Sequence, residues 1–297
     1  MTNRRFGWYV PNENGTMDLG RHTTVLSEEI WEEFNLIVAI TSELRPFVVD
    51  FVSLENNFAL LTSTEDDLAR HVESMNNPIE INGVDHIQNL ARAQGAISNF
   101  LSAASALRER GLTRLRSRYG KDSLETKKFK AAMTDAYDGW FAYRLLYNLR
   151  NYEQHHDMPL SIIPISAARD NTGQMRAEAR LVLKPKDLLE SNLIQAAFRT
   201  KELVHRVDDI LLMPLAKQFM QLHGSMFKAI VEMHVERLME FQAYARAVFK
   251  TMKLPKNAKP IIWEGEDISN PRVYQFSFEE VGFLNILFNR LESAVRD

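Results

Sequence analysis

The chain of 297 residues contains no cysteine. Its absence excludes a disulfide framework, thiol catalysis and any zinc site that needs thiolate ligands. No apolar run approaches the length of a membrane span, and no basic segment followed by an apolar stretch opens the sequence. We therefore expect a cytoplasmic protein that does not associate with membranes. The sequence also contains no P-loop and no glycine fingerprint of a dinucleotide-binding fold.

The composition is that of an ordinary globular protein with a sizeable core, since 45% of the residues are hydrophobic and 25% are charged. The net charge of −3 predicts no general affinity for nucleic acids, so any such binding must come from a local patch. Residues 108–130 are a candidate, because nine Lys or Arg stand against three acids there. Arg114 and Arg118 are candidate substrate-binding residues in this run; the alternative is a solvated helix end with ordinary charge.

Apolar residues recur at helical spacing through much of the chain, which predicts a mainly α fold. The predicted helices cover about residues 27–44, 47–61, 86–119, 140–155, 187–211, 215–252 and 277–295. We expect Pro46 to separate the first two helices and Pro214 to kink or divide the chain after residue 211. Short strands are predicted at about residues 6–10, 160–165, 179–183, 261–263 and 274–276. The second and third of these strands should form a β-hairpin.

These elements predict four successive parts of the chain. Residues 1–25 form a strand and turn, and residues 26–160 form a helical bundle. Residues 161–185 form the β-hairpin, and residues 186–297 form a C-terminal helical region whose role the sequence leaves open.

The segment Tyr143–Pro159 combines an apolar helix face with a concentration of polar side chains. The face that should point at a core consists of Phe141, Leu145, Leu149 and Tyr152. Arg150 and His155 are five residues apart, roughly 140° around an ideal helix, so a regular helix would not aim them at one point. A proline at the end of the segment stops the helix, which places His155 and His156 in its last turn.

At these residues the chain resembles the HEPN family of helical nucleotide-binding domains. The family motif is an Arg, a polar residue that is often Asn, and a His after four to six intervening residues. Here the match is Arg150 and Asn151 followed by His155 or His156. The aromatic helix before the motif and the immediate end of the helix after it are also similar to the family. The resemblance covers about residues 90–160, or 25–160 if the preceding helices belong to the same bundle.

The resemblance implies a fold: a HEPN-like helical bundle, here with a β-hairpin insertion and additional C-terminal helices. In that family two protomers dimerise, and paired Arg and His residues form a cleft that cuts RNA without a metal or other cofactor. Many members are toxins or antiviral effectors, which implies a homodimer, an RNA substrate and an antitoxin or regulatory partner protein. Other members have no activity, so the alternative is a non-catalytic module that binds nucleotide, RNA or a protein partner.

Residue by residue, the resemblance implies that Arg150 holds the scissile phosphate and that His155 or His156 moves protons. Asn151 would orient one of these groups, and Tyr147 and Gln154 would line the cleft. The residue types suit the chemistry, because a guanidinium grips two phosphate oxygens and a histidine both takes and gives protons near neutral pH. The alternative is that Arg150 and His155 cap the last carbonyls of a structural helix.

Two metal-binding patterns compete with this interpretation. The pair His156–Asp157 is similar to the dyad of HD-type metal phosphohydrolases, with His71 or His86 as further ligands, but that dyad belongs inside a helix. His205, Asp208 and Asp209 also have a spacing that can hold a metal, although a solvent-facing charge cluster is the usual explanation. We therefore predict no metal site.

Overall fold

The computed structural model describes residues 3–13, 15–75, 83–155, 160, 163–252, 254–255, 257–265, 272–275 and 278–294. The fold is mainly α, as predicted, with a small antiparallel sheet. The chain divides into two compact units, one made of Met1–Val48 together with Ile230–Asp297, and the other made of Val49–Ala229. The first unit is discontinuous in sequence, whereas the four predicted parts follow one another along the chain.

The helices and strands of the described residues have the following bounds. In chain order they are β1 (Arg4–Pro11), β2 (Met17–Val25), α1 (Glu28–Glu73), α2 (Gly83–Tyr119), α3 (Leu124–Gly139), α4 (Phe141–His155), β3 (Ile165–Arg169), β4 (Met175–Ala179), β5 (Val182–Leu183), α5 (Pro185–Leu189), α6 (Ala196–Lys201), β6 (Ile210–Leu211), α7 (Leu212–Thr251), β7 (Lys259–Glu264), β8 (Arg272–Gln275) and α8 (Phe278–Ala294).

The first unit contains a four-stranded antiparallel sheet with the strand order β2-β1-β7-β8. The strands predicted near residues 6–10, 261–263 and 274–276 are confirmed as β1, β7 and β8. Strand β2 was not predicted, because its residues are largely exposed and lack an apolar face. Gly20 in β2 lies against the indole of Trp8, and a Cβ at that position would meet the ring at 2.3 Å.

Aromatic rings fill the core of this unit. Phe6 of β1 meets Phe249 of α7 edge to face, with ring centroids 5.1 Å apart. Trp31 of α1 stacks on Phe34, and it also contacts the ring of Tyr274 of β8 at 4.9 Å. Such pairs contribute about 0.5–1.5 kcal/mol each beyond the apolar area they bury.

Helix α1 runs through Pro46 without a break, so the prediction of two helices separated at that residue is wrong. A proline inside a helix costs about 3 kcal/mol, because it removes one hydrogen bond and crowds the preceding turn. The apolar stripe continues on both sides of it, with Leu44, Phe47 and Phe51 all buried. Burial of each such side chain contributes about 1.5–3 kcal/mol, which offsets the cost.

The second unit is built from helices that pack through aromatic and aliphatic side chains. Helix α2 covers nearly the predicted range, and α4 follows α3 after a short break at Trp140. Phe51 of α1 stacks on Phe227 of α7 with ring centroids 4.5 Å apart. Phe100 of α2 contacts Phe58 and Phe219, at 5.7 and 5.8 Å. Helix α3 belongs to the same unit, and its Phe129 is fully buried.

The β-hairpin is present around the predicted turn, and its strands are β3 and β4. Among the described residues, these strands share only Ile165 and Ala179 with the predicted runs at 160–165 and 179–183. Asp170 begins the turn, and its carboxylate accepts hydrogen bonds from the backbone N–H groups of Thr172 and Gln174 at 2.9 and 3.0 Å. Gly173 supplies the positive φ of 82° that the turn requires.

Two carboxylates of α1 hold the chain that follows this turn. Glu73 accepts a hydrogen bond from the N–H of Ala177 at 2.9 Å, and Glu65 accepts one from the N–H of Leu181 at 2.6 Å. The apolar pair at 182–183, predicted to lie in the hairpin, instead forms β5 and pairs with β6.

The predicted helix at 187–211 is also wrong. That segment contains the short helices α5 and α6, a 3₁₀ turn at Leu203–His205 and strand β6. Pro214 lies in the first turn of α7, where backbone N–H groups have no partner within the helix, so proline removes no helical hydrogen bond there. Helix α7 then runs for 40 residues, and the predicted final helix is present as α8. Across the described residues, no helix combines the length and the hydrophobicity that a bilayer crossing requires.

Candidate functional site

Helix α4 carries the motif residues on a well-buried element. Leu145, Leu149 and Tyr152 are buried, as the apolar spacing predicted. Asn148 is buried as well, and its side chain donates to the carbonyl of Arg144 and accepts from the N–H of Gln195. The C-terminal turns of α4 are therefore fixed from several sides.

Arg150 is only partly accessible, with 20% of its side chain exposed. Its Nη1 lies 3.7 Å from Oε2 of Glu153, one turn further along α4. Nε of Arg150 and Oε2 of Glu153 are both buried, and neither has a hydrogen-bond partner within the described residues. The guanidinium is thus held near a carboxylate at ion-pair distance without the short contacts of a bidentate pair.

A small cavity lies beside Arg150. Its volume is ≈ 20 Å³, about the room that one water molecule requires. It is lined by Leu101, Ala104, Ser105, Arg108, Leu146, Tyr147, Arg150, Asn151, Phe219 and His223. Polar side chains from α2, α4 and α7 therefore meet at one place within the second unit.

Arg108 of α2 is a second guanidinium at this cavity, and 14% of its side chain is exposed. It lies over the ring of Tyr147, with the guanidinium carbon 4.4 Å from the ring centroid, a cation–π contact. Its Nη2 donates to Glu109 at 2.9 Å. Burial raises the pKa of the neighbouring Tyr143 hydroxyl, although the charge of Arg108 and a hydrogen bond from it act in the opposite direction.

Glu109 interacts with both arginines: it accepts a hydrogen bond from Arg108, and the charge of Arg150 also acts on it. Burial alone would raise its pKa, but hydrogen bonds from Ser105 and Arg108 and the charges of Arg108 and Arg150 outweigh burial. The pKa of Glu109 therefore lies below its ordinary value, and the group is ionised at neutral pH.

His223 reaches the cavity from α7 and is almost fully buried. Its Nδ1 lies 2.9 Å from the carbonyl oxygen of Phe219, which accepts the ring proton. Burial lowers the pKa of His223 from 6.5 to about 4, and the positive charge of Arg108 acts in the same direction. At neutral pH the ring is therefore uncharged, with its proton on Nδ1.

The low pKa of His223 should make folding stability fall in mild acid. The unfolded chain takes up the proton near pH 6.5 while the folded chain resists until about pH 4, so stability declines as the pH drops through that interval. The His223 contribution approaches about 1.4 kcal/mol per pH unit within it. Urea denaturation at pH 7, 6 and 5 should show that His223→Phe removes this part of the slope.

The exposed His71 provides the control, because His71→Phe should leave the wild-type pH dependence unchanged. A constant free-energy difference between wild type and His223→Phe at all three pH values would contradict the assignment.

The predicted site residues on α4 separate into two groups. Arg150, Asn151 and Tyr147 lie together at the cavity, and the face of the Tyr147 ring is covered by a guanidinium. Gln154 and His155 are the last two residues of the helix. His156, the other candidate histidine, lies outside the described residues.

The two predicted substrate-binding arginines lie on α2, away from the lining of the cavity. Arg114 donates to the buried carboxylate of Asp50 at 2.5 Å, and Arg110 pairs with the other oxygen of Asp50 at 3.2 Å. Arg118 is exposed in the last turn of the helix. Arg114 thus already has a carboxylate partner within the fold.

His223, Arg108 and Glu109 were not predicted as members of the site. Arg108 was counted only as one charge in a basic run, and His223 lies one position from the predicted apolar stripe of α7. No sequence signal joins these residues, because they meet through the packing of α2 and α7 on α4. In the part of the chain that the structure describes, no three His, Asp or Glu side chains converge as a metal site.

Comparisons with known proteins identify no relative: no family model, no curated protein and no solved structure matches the chain.

Proposed function

We propose that the protein is a metal-independent endoribonuclease of HEPN type that acts as a homodimer. The observation that carries the proposal is the sequence Arg150-Asn151 followed by His155 on the last turns of α4. In this proposal Arg150 binds the scissile phosphate, His155 or His156 transfers protons, and Asn151 orients one of these groups.

The reaction uses the RNA's own nucleophile. The 2′-oxygen forms a bond to phosphorus while the bond from phosphorus to the 5′-oxygen breaks, which leaves a 2′,3′-cyclic phosphate. A histidine accepts the 2′-hydroxyl proton, and a protonated histidine donates to the departing 5′-oxygen. The two motif histidines of each chain, His155 and His156, would supply enough groups for both roles in a dimer. The guanidinium of Arg150 stabilises the charge that builds on the phosphoryl oxygens.

The surroundings of Arg150 support a role in binding phosphate. Its partner Glu153 is 3.7 Å away, and its Nε makes no hydrogen bond within the described residues. A phosphate offers short, charge-assisted hydrogen bonds that this arrangement leaves unmade. Arg108, stacked on Tyr147, adds a second cation at the same cavity.

The biological role is proposed from the same resemblance. A nuclease of this type would act as a toxin or antiviral effector in the cytoplasm, restrained by an antitoxin or another regulatory partner protein.

A specific observation favours a second candidate, a non-catalytic module that binds nucleotide, RNA or a protein partner. Arg150 has 20% of its side chain exposed, and the cavity beside it measures ≈ 20 Å³. A nucleotide would need considerably more room, so substrate entry requires side chains to move. A binding module would use the exposed edge of the same residues without that rearrangement.

Cleavage of labelled RNA in EDTA separates the two functions. The proposed nuclease cuts in chelator, and His155→Ala combined with His156→Ala stops cleavage while the thermal unfolding of the protein stays unchanged. Intact RNA with the folded wild-type dimer, accompanied by measurable RNA binding, would replace the nuclease with the binding module.

A further inference from the structure

The basic run at 108–130 divides into two parts with different surroundings. The arginines of its first part have carboxylate partners, because Arg108 pairs with Glu109 while Arg110 and Arg114 share the buried Asp50. Arg110 and Arg114 link α2 to α1 through this carboxylate. These two arginines are therefore poorly placed to hold a flexible polyanion.

The second part lies where α2 ends and α3 begins. We define the basic elbow as five exposed cations at this junction: Arg116, Arg118, Lys121, Lys127 and Lys128. Within the residues that the structure describes, Arg116 and the three lysines form no ion pair. The nearest acids in sequence are the exposed Asp122 and the half-buried Glu125, so the elbow keeps a net positive charge in a chain of −3.

The backbone of the basic elbow is fixed by local hydrogen bonds. Gly120 ends α2 with a positive φ of 94°. Ser123 caps α3 by accepting a hydrogen bond from the N–H of Thr126 at 3.2 Å. The buried hydroxyl of Thr126 donates to the carbonyl of Gly120 at 2.8 Å. The cations therefore project from a rigid turn, and ordering them against a ligand costs mainly side-chain entropy.

From these observations we infer that the basic elbow binds the phosphate backbone of single-stranded RNA and delivers the strand to the protein. The cations are spread over the last turn of α2, the connecting turn and the first five residues of α3, a spacing that suits a chain of phosphates better than a single anion. Leu124 is the exposed large apolar side chain of this turn, too little for insertion into a membrane. The choice of RNA as the polyanion rests on the proposed function.

Salt dependence of RNA binding tests the inference directly. A single-stranded RNA with methylated 2′-hydroxyls is suitable, because it cannot undergo cleavage by its own 2′-oxygen. The elbow variant carries Arg116→Gln, Lys121→Gln, Lys127→Gln and Lys128→Gln. Each lost phosphate contact should lower the slope of log K against log salt by about 0.7, so the variant loses about 3 in slope. Its affinity near 0.1 M salt should fall roughly tenfold or more.

The matched control removes the same charge elsewhere on the second unit. Arg92→Gln, Lys186→Gln, Lys201→Gln and Lys217→Gln replace four exposed cations outside the basic elbow, and the slope should stay near that of the wild type. Equal losses in both variants would overturn the inference by showing a response to net charge alone. Unchanged binding in the elbow variant would overturn it as well.

Two further outcomes separate this inference from its alternatives. Phosphatidylserine vesicles that sediment the wild type and not the elbow variant, with RNA affinity unchanged, would overturn it in favour of a membrane surface. If the salt slope of the elbow variant falls as expected while natural RNA is never cut, RNA binding by the basic elbow is supported and the proposed nuclease activity is excluded. Far-ultraviolet circular dichroism of each variant confirms that the fold is intact.

Discussion

Replacing Arg150 with alanine is expected to slow RNA cleavage by roughly 10²–10³-fold, the usual effect of removing a group that stabilises charge in the transition state. The guanidinium is the cation of the motif helix that lines the cavity, and its Nη1 lies 3.7 Å from Oε2 of Glu153. Single-turnover cleavage of a labelled RNA, with enzyme in excess, measures the chemical step without product release.

Three companion variants make the Arg150 result interpretable. Arg150→Lys keeps the charge and loses the planar fork, so its rate should lie between those of wild type and Arg150→Ala. Glu153→Gln added to Arg150→Ala removes the carboxylate that the mutation leaves unpaired, and activity should stay low while stability returns. Arg92→Ala, at an exposed position, should cleave at the wild-type rate. Wild-type cleavage by Arg150→Ala would contradict the assigned role.

Replacing Glu264 with alanine is expected to lower the free energy of unfolding by about 2 kcal/mol, because it removes the acceptor of two hydrogen bonds, one of them charge-assisted. Arg4 keeps Glu28 as its second carboxylate partner, at 3.1 Å. Glu264 is 8% exposed and accepts hydrogen bonds from Nε of Arg4 at 3.0 Å and from the hydroxyl of Tyr274 at 2.8 Å. The guanidinium of Arg4 also lies 4.2 Å from the ring centroid of Trp31. The carboxylate therefore joins β1, β7 and β8, and Arg4 extends the cluster to α1.

The pH dependence of the Glu264 effect follows from its pKa. The hydrogen bond from Tyr274, followed by the hydrogen bond and charge of Arg4, holds the pKa of Glu264 below 4.5 against the opposing effect of burial. A lowered carboxyl pKa contributes stability above pH 4.5, and that contribution is lost as the pH falls through the folded-state value. The deficit of Glu264→Gln relative to wild type should therefore be largest near neutral pH and shrink in acid.

Urea denaturation between pH 3 and pH 7 measures both Glu264 effects. Glu178→Ala is the control, because Glu178 pairs with Arg180 on an exposed surface where 59% and 54% of the two side chains are accessible. Such pairs contribute about 0–1 kcal/mol. A Glu264→Ala loss no larger than that of Glu178→Ala would show that the buried pair does not stabilise the fold.

Periodicity predicted the elements whose apolar faces are buried. Helices α2, α4, α7 and α8 and the strands β1, β7 and β8 were all expected close to their observed positions. The prediction of a helix end at Pro46 was wrong. It considered only the local effect of proline and not the burial of Leu44, Phe47 and Phe51 on either side. The gain from a continuous core outweighs the local cost.

The hairpin shows why exposed strands are hard to predict from apolar spacing. Strands β3 and β4 are mostly exposed, so they carry little apolar signal, and the prediction moved to the apolar runs on either side. Glu73 on α1 accepts a hydrogen bond from β4, and Glu65 accepts one from Leu181 just after it, each more than a hundred residues earlier in the chain. A pairing of that sequence separation leaves no local pattern.

The candidate site was predictable where a motif is local and unpredictable where it depends on packing. Arg150, Asn151 and Tyr147 share one short segment, and the structure brings all three to the same cavity. His223 and Arg108 reach that cavity from α7 and α2, and a single His beside an apolar stripe does not indicate which residues it will contact. Arg114 looked available in sequence because Asp50, its partner, lies 64 residues away.

The most direct test of the central claim is the chemical nature of the RNA ends produced in EDTA. We expect a 2′,3′-cyclic phosphate on the upstream fragment and a 5′-hydroxyl on the downstream fragment. Both products should form roughly 10²–10³-fold more slowly with Arg150→Ala and should be absent with the double His155→Ala and His156→Ala variant. Fragments with a 3′-hydroxyl and a 5′-phosphate, or cyclic ends that form at the wild-type rate in these variants, would contradict the proposed mechanism.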